Sequence, residues 1–270
     1  MLQDEGMREW PRYVPEYLTT QLVGYSSTCV RRYSDHYIAA YPTTQHARYV
    51  GTRKFGYPTT RTSPIVLAKM IITVASFKGG VGKTVTAVHL AAYLRSLGEP
   101  TVLVDGDPNR SATGWAQRGA GRLPFKVIDE RQAVRFARDF EHIVIDTEAR
   151  PTQEDLQTLA GGCDLLVIPT APDALALDAL LLLVDSLETI GADRYRVLLT
   201  MIPPHPSRDG EQARETLSTT ELPLFNGEVR RLVAFQKAAL EGVPVYEVKD
   251  PRAHIGWEDY VKVGKEVVGG

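Results

Sequence analysis

The chain has 270 residues, 43% hydrophobic and 24% charged, with a formal net charge of −2, which is length enough for one large core or two small ones. No apolar run is long enough to cross a bilayer, and the first residues lack the basic-then-apolar pattern of a secretory signal. Cys29 and Cys163 stand far apart with no CxxC pair, which argues against a disulfide framework or cysteine-rich metal site and points to a reducing cytoplasm.

Residues 1–69 carry nine Lys and Arg against five Asp and Glu, eight of the twelve tyrosines, and Tyr-Pro-Thr-Thr twice, at 41–44 and 57–60. Their apolar residues follow neither a helical period nor strand alternation, and nothing in them resembles a helix-turn-helix. The segment reads as an irregular or disordered extension, or as upstream sequence if synthesis starts at Met70. The competing reading is a basic Tyr/Arg arm that touches nucleic acid or a partner.

From Met70 to residue 270 the pattern turns regular, with 22 Lys and Arg against 28 Asp and Glu. Nucleic-acid contact there needs a local basic patch. Strands that are almost entirely apolar are predicted at Ile71–Phe77, Thr101–Asp105, His142–Asp146, Asp164–Pro169 and Arg196–Ile202. Helices are predicted between them at Thr84–Leu97, Arg131–Asp139, Gln153–Leu159 and Leu175–Ile190. Apolar strands alternating with helices imply an α/β fold: a doubly wound, mostly parallel sheet covered on both faces. Ligands of such sheets sit at the carboxyl ends of the strands.

The first strand runs into Lys78-Gly79-Gly80-Val81-Gly82-Lys83-Thr84 and then a helix. Three glycines let the backbone curl so that successive N–H groups face phosphate oxygens, and the helix start adds its positive dipole end. Lys83 can reach the β- and γ-phosphates, and the Thr84 hydroxyl can ligate Mg²⁺. The nucleotide set is therefore Gly79, Gly80, Val81, Gly82, Lys83, Thr84 and Val85, with ATP and Mg²⁺ as the ligands. The second strand ends in Asp105-Gly106-Asp107-Pro108-Asn109, where Ser111 is also a candidate helix N-cap. The strand His142–Asp146 delivers one carboxylate to the sheet edge beside the loop, as a Walker B acid does for the metal's water shell.

Phe77 stands where the general P-loop pattern has glycine, and Lys78 is an additional lysine at the start of the loop. This K-G-G-x-G-K-T form resembles the deviant Walker A motif of the ParA/MinD ATPases, closest to the small ParA-type partition proteins. The resemblance covers residues 70 to about 268. It implies ATP hydrolysis, a homodimer closed by ATP with Lys78 touching the partner's nucleotide, and Asp107 orienting the attacking water with Asp105 in support. Mg²⁺ would be held by Thr84 and Asp146, and adenine would lie against the Met201–Pro204 turn, with Met201 and Pro203 in contact. It further implies non-specific DNA binding through Arg230, Arg231 and Lys237, a stimulating partner of ParB type, and a cytoplasmic, nucleoid-associated life without a membrane anchor. One departure is Thr147-Glu148-Ala149-Arg150-Pro151, where the family has prolines directly after Thr. The alternatives are a metabolic amidoligase of the dethiobiotin or cobyrinate synthetase type, and a MinD-like division regulator. The second would need an amphipathic terminal helix, and Val261–Val268 looks short and glycine-broken for that role.

Overall fold

The computed structural model describes residues 69–136 and 139–269. The extension anticipated over residues 1–69 thus lies, Lys69 aside, outside the described residues.

Six strands form one sheet: β1 (Met70–Ser76), β2 (Thr101–Gly106), β3 (Lys126–Asp129), β4 (His142–Ala149), β5 (Leu165–Thr170) and β6 (Tyr195–Leu199). Their order is β3-β2-β4-β1-β5-β6, and every pairing is parallel. The helices are α1 (Lys83–Ser96), α2 (Ser111–Gly119), α3 (Glu130–Phe136), α4 (Gln153–Gly161) and α5 (Ala174–Thr189). They continue with α6 (Asp209–Ser218), α7 (Val233–Glu241) and α8 (Ala253–Gly269). The anticipated α/β fold with helices on both faces is what the chain adopts.

The strands are buried on both faces because their alternate residues enter different cores. Ile72, Val74, Leu103, Val144, Val167 and Leu198 pack with residues of α1, α2, α7 and α8. Leu166, Ile168, Val197 and Leu199 face α4, α5 and α6. Burial of this kind removes the period-2 signal, so the strands read as continuous apolar runs.

Local chemistry sets the helix ends. Thr152 and Asp155 form a reciprocal capping box at the start of α4. Asp173 caps α5 by accepting from the Ala176 amide at 3.0 Å. At the end of α7, Gly242 takes φ +69° and lies against Gly119, leaving no room for a Cβ on either residue. Arg118 and Arg122 each donate to a terminal carbonyl of that helix, those of Ala239 and Glu241, at 2.6 Å.

Several expectations shift. The strand predicted through Ile202 stops at Leu199, because Met201 turns the chain with φ +54°. The helix predicted over Arg131–Asp139 is Glu130–Phe136. Ser111 is the first helical residue of α2 rather than its cap. The cap position is Arg110 with φ 52° and no side-chain bond, and the Thr113 amide donates instead to Asp105 Oδ2 at 2.7 Å. Val261–Val268 is unbroken helix inside α8. Gly264 permits close packing there, since a Cβ would land in the Tyr93 ring, and Val263 and Val267 are buried. Among the described residues no helix is long and apolar enough to cross a membrane.

Candidate functional site

Lys78–Thr84 joins β1 to α1 at the centre of the sheet, so the loop sits where the chain winds outward in both directions. Gly80 and Gly82 have φ +80° and +88°, a region that disfavours any side chain. A Cβ added at Gly79 or Gly80 would meet nothing within 4 Å, so open space adjoins the backbone at both positions. Ser76 Oγ accepts from the Lys78 amide at 3.1 Å. At the loop's far end, Thr200 Oγ1 lies 2.7 Å from the Val81 carbonyl and 3.1 Å from that of Thr170. This threonine pins the cradle to the ends of β5 and β6. Sequence reasoning gave Thr200 no such role, since a threonine ending an apolar strand carries no distinctive signal.

Lys83 is buried, and its ammonium is pushed down by desolvation, against the opposing pull of Asp146 and Asp107. Asp146 is fully buried, and neither carboxylate oxygen has a hydrogen-bond partner. Burial pushes its carboxyl up to about 7. The Thr84 side chain opposes that shift, although no bond of acceptable geometry joins its hydroxyl to either oxygen. An orphaned carboxylate beside Thr84 and a buried lysine, at the end of a glycine loop, fits a hydrated divalent cation together with phosphate.

Asp105 and Asp146 are paired in register across β2 and β4. Asp105 is spent on structure: its Oδ2 accepts from the Thr113 amide and, at 2.6 Å, from the Thr113 hydroxyl. Asp107 is 8% exposed and accepts from the Asn109 amide at 2.8 Å through Oδ1 only, so Oδ2 makes no hydrogen bond among the described residues. That division separates a brace (Asp105) from a carboxylate with an oxygen to offer (Asp107). Arg110 ties the same loop down by donating to the Asp105 carbonyl at 2.6 Å and pairing with Glu130 at 3.2 Å.

The departure after Asp146 has a structural outcome. β4 continues as strand through Ala149, and Arg150, with φ 61°, donates its amide to the Ser76 carbonyl and its Nε to the Phe77 carbonyl, both at 3.2 Å. The loop after β4 is therefore stapled to the start of the phosphate cradle. The Arg150 guanidinium makes no ion pair among the described residues. Glu148 is pushed up by burial and by Asp155, Asp107 and Glu130, which puts a further carboxylate in the field of Asp107.

Lys78 Nζ lies 2.6 Å from Asp173 Oδ1. Met201 packs with Val81, Ala171 and Ala176 beside the cradle, and Val85 and Pro203 are partly buried. Of the anticipated DNA residues, Arg230 is committed to Asp259, with contacts of 3.0 and 2.6 Å to its two oxygens. Lys237 pairs with Asp250 at 2.8 Å. Arg231 is exposed, and its side chain makes no hydrogen bond or ion pair among the described residues. Cys163 is a buried free thiol, pushed up to about 11 by burial, and belongs to the core.

The sequence model of the CobQ/CobB/MinD/ParA nucleotide binding domain matches residues 72–245. The chain is 34% identical over 202 residues to the maintenance of carboxysome distribution protein A of Gloeobacter kilaueensis, a match covering 73% of this chain and 93% of that protein. Its fold resembles an ATP complex of a Cyanothece McdA variant, with TM-score 0.53 and 20% identity over 75% of this chain and 97% of the other. It also resembles the septum site-determining protein MinD of Pyrococcus horikoshii complexed with Mg-ADP. There the TM-score is 0.55 and the identity 18%, over 73% of this chain and 95% of the other.

Proposed function

Because the chain belongs to the CobQ/CobB/MinD/ParA nucleotide-binding family, we propose that it is an ATP-dependent, dimerising ATPase. In this reading it partitions or positions DNA or a protein cargo through nucleotide-controlled, non-specific DNA binding. The supporting observation is the unpartnered Asp146 carboxylate, buried with Lys83, Thr84 and Asp107 in its field, at the end of a glycine loop that leads into a helix. The 34% identity to a protein named for carboxysome distribution favours positioning over a metabolic amidoligase.

In this reading each residue keeps the role that the sequence and the family resemblance suggest. Backbone amides of Gly79–Thr84, with Lys83 and Val85, bind the phosphates, and Thr84 with Asp146 holds Mg²⁺. When bound there, the ion would supply charge neutralisation to the phosphates. Asp107 offers its unbonded oxygen to the attacking water, held by the Asn109 turn and the Asp105 brace, and hydrolysis yields ADP and phosphate. Met201 and Pro203 line the base, and Lys78 contacts the nucleotide of the partner protomer. Two of the three anticipated DNA residues are neutralised within the chain. The DNA contact therefore rests on Arg231 together with the exposed Lys249 and Arg252. A partner of ParB type stimulates turnover, and the cycle runs in the cytoplasm on the nucleoid.

The test is binding of the full chain to random-sequence duplex DNA with ATP, ADP or no nucleotide at several salt concentrations, beside turnover without DNA. Binding that needs ATP and weakens steeply with salt is expected, with turnover below the ~1 s⁻¹ at the slow end of typical enzymes. ATP-independent binding, or fast turnover of the isolated chain, overturns the reading. Lys83→Ala is expected to abolish nucleotide binding in the same preparations.

A further inference from the structure

A cleft of about 420 Å³ lies between α2 and α7, with Thr84 in its wall, and takes no part in the roles above. Ser111, Gly114 and Arg118 line it from α2, and that i, i+3, i+7 spacing is one face of a helix. Seven residues at a helical rise give this face a length of about 10 Å. Asn109 and Arg110, which follow Asp107 in the chain by two and three residues, complete that wall.

The chemistry of the cleft is one-sided. Two arginines line it and no acid does. Arg118 donates through Nε to the Ala239 carbonyl, and its two terminal nitrogens make no hydrogen bond or ion pair among the described residues. Glu130 takes one nitrogen of Arg110, at 3.2 Å. The Asn109 side chain and the Ser111 hydroxyl are without partners among the described residues. So are the amides of Ser111 and Ala112 at the start of α2. Arg110 stands at the cap position in a left-handed conformation and offers no side-chain oxygen to accept from them. Unused donors and surplus positive charge on one helix face describe a site for an anion.

In-line attack decides which anion arrives there. A water held by Asp107 meets the γ-phosphorus opposite the β-phosphate, and the phosphoryl group moves towards that water as it separates from ADP. Phosphate is thus freed on the side of the Asp107 loop, whose next residues wall the cleft, while ADP stays in the cradle. We propose that the cleft binds the released inorganic phosphate, held by Arg118, Asn109 and Ser111. This inference rests on the ATPase reading given above and names the place its second product occupies.

The test is equilibrium dialysis of radiolabelled orthophosphate against the full chain saturated with Mg-ADP, so that the cradle is already occupied. Saturable binding is expected, with sulfate competing. Arg118→Ala should weaken it roughly 10- to 150-fold, the loss of a hydrogen bond to a charged group. Because Arg118 also braces the Ala239 carbonyl, a second variant separates binding from folding. Ser111→Asp puts a carboxylate into the cleft at the first position of α2, where an acid favours the helix. Phosphate affinity should then fall about tenfold or more, while urea stability stays at or above that of wild type.

Phosphate bound equally well by wild type and both variants sits elsewhere and overturns the assignment. Loss in one variant but not the other overturns it as well, since a single anion on this face must feel both changes. No phosphate binding, while Mg-ADP binds, removes the cleft site and leaves the nucleotide reading standing. If wild type binds neither Mg-ADP nor Mg-ATP, the ATPase reading falls and the phosphate site with it.

Discussion

Acid should withdraw the stability contributed by one residue that never touches the nucleotide. His89 lies in α1, two turns beyond the phosphate cradle, and is fully buried. Its Nδ1 lies 2.7 Å from the Val85 carbonyl, and its Nε2 accepts from the Val245 amide at 3.0 Å. That pair of partners requires the neutral ring with its proton on Nδ1. Tyr260 stacks on the ring at 4.8 Å, with Phe235 and Trp115 edge-on. No charged side chain contributes to its titration, and burial alone pushes it down to about 4, against the Val85 contact. A base with a depressed folded pKa holds fewer protons folded than unfolded. Its contribution is therefore complete above the unfolded value near 6.5 and is lost as pH falls towards 4. By pH 5 the loss is about 2 kcal/mol, from about 1.4 kcal/mol per pH unit below 6.5.

Asp146 runs the other way. Its carboxyl is raised to about 7, so the stability it contributes is full below the unfolded value near 4 and disappears as pH rises through 7. Between pH 7.5 and 5 the two effects are of similar size and opposite sign, so Asp146 masks much of the His89 loss in the wild type. Urea unfolding of Asp146→Asn removes the opposing titration and is expected to reveal the His89 loss. Adding His89→Gln should then shrink that loss to what the buried His142, also pushed down by burial, contributes. If Asp146→Asn loses no more stability between pH 7.5 and 5 than the double variant does, the reasoning about His89 is refuted.

Other substitutions test the packing and the charge assignments. Gly264→Ala would gain about 1 kcal/mol from helix propensity alone, but the added Cβ meets the Tyr93 ring, so a net loss of about 1–3 kcal/mol is expected by thermal or urea unfolding. Thr200→Val keeps the shape and removes the hydroxyl at the Val81 carbonyl. It should cost about 1 kcal/mol and weaken ATP binding several-fold by calorimetry, and unchanged affinity would show that the cradle holds its form unaided. Arg230→Ala strands the buried Asp259 and should cost about 2–3 kcal/mol, at the low end for a broken buried pair because Arg230 is itself 42% exposed. Arg231→Ala should leave stability unchanged and lower the salt slope of DNA binding by about one. The reverse pattern, a DNA defect in Arg230→Ala with full stability, would reassign the contact.

The sheet was legible because its strands are apolar without interruption, and the cradle because Gly-Gly-x-Gly-Lys-Thr between a strand and a helix has few other uses. β3 and α6 left weaker traces. β3 is four residues long with only Ile128 buried, and α6 is a polar helix burying Gly210, Ala213 and Leu217. α1 hid its role differently. It is buried on every side from Thr86 to Leu94, so its sequence shows no apolar stripe. The polar residues that decide its packing are scattered. Thr86 meets the Tyr260 hydroxyl at 3.1 Å across 174 residues of chain, and His89 meets Val245 across 156. No local pattern encodes contacts of that range.

Charge was the least legible property, and the reason bears on function. Counted along the chain, Lys78, Arg230 and Lys237 look alike: cations near a nucleotide site or on a candidate DNA face. In the fold each meets a carboxylate far from it in sequence or on a different element, Asp173, Asp259 and Asp250 respectively. The pairs are not equivalent. Asp259 is 4% exposed and Asp250 9%, whereas Asp173 is 53% exposed. A buried carboxylate that loses its cation is left in a medium that penalises it, so Arg230, paired with the buried Asp259, is held to structural work. The Asp173 carboxylate is already half exposed, so the Lys78 pair is worth no more than an ordinary surface ion pair. The burial of the acid, rather than the number or spacing of the bases, separates a cation that braces the fold from one in an ordinary surface pair.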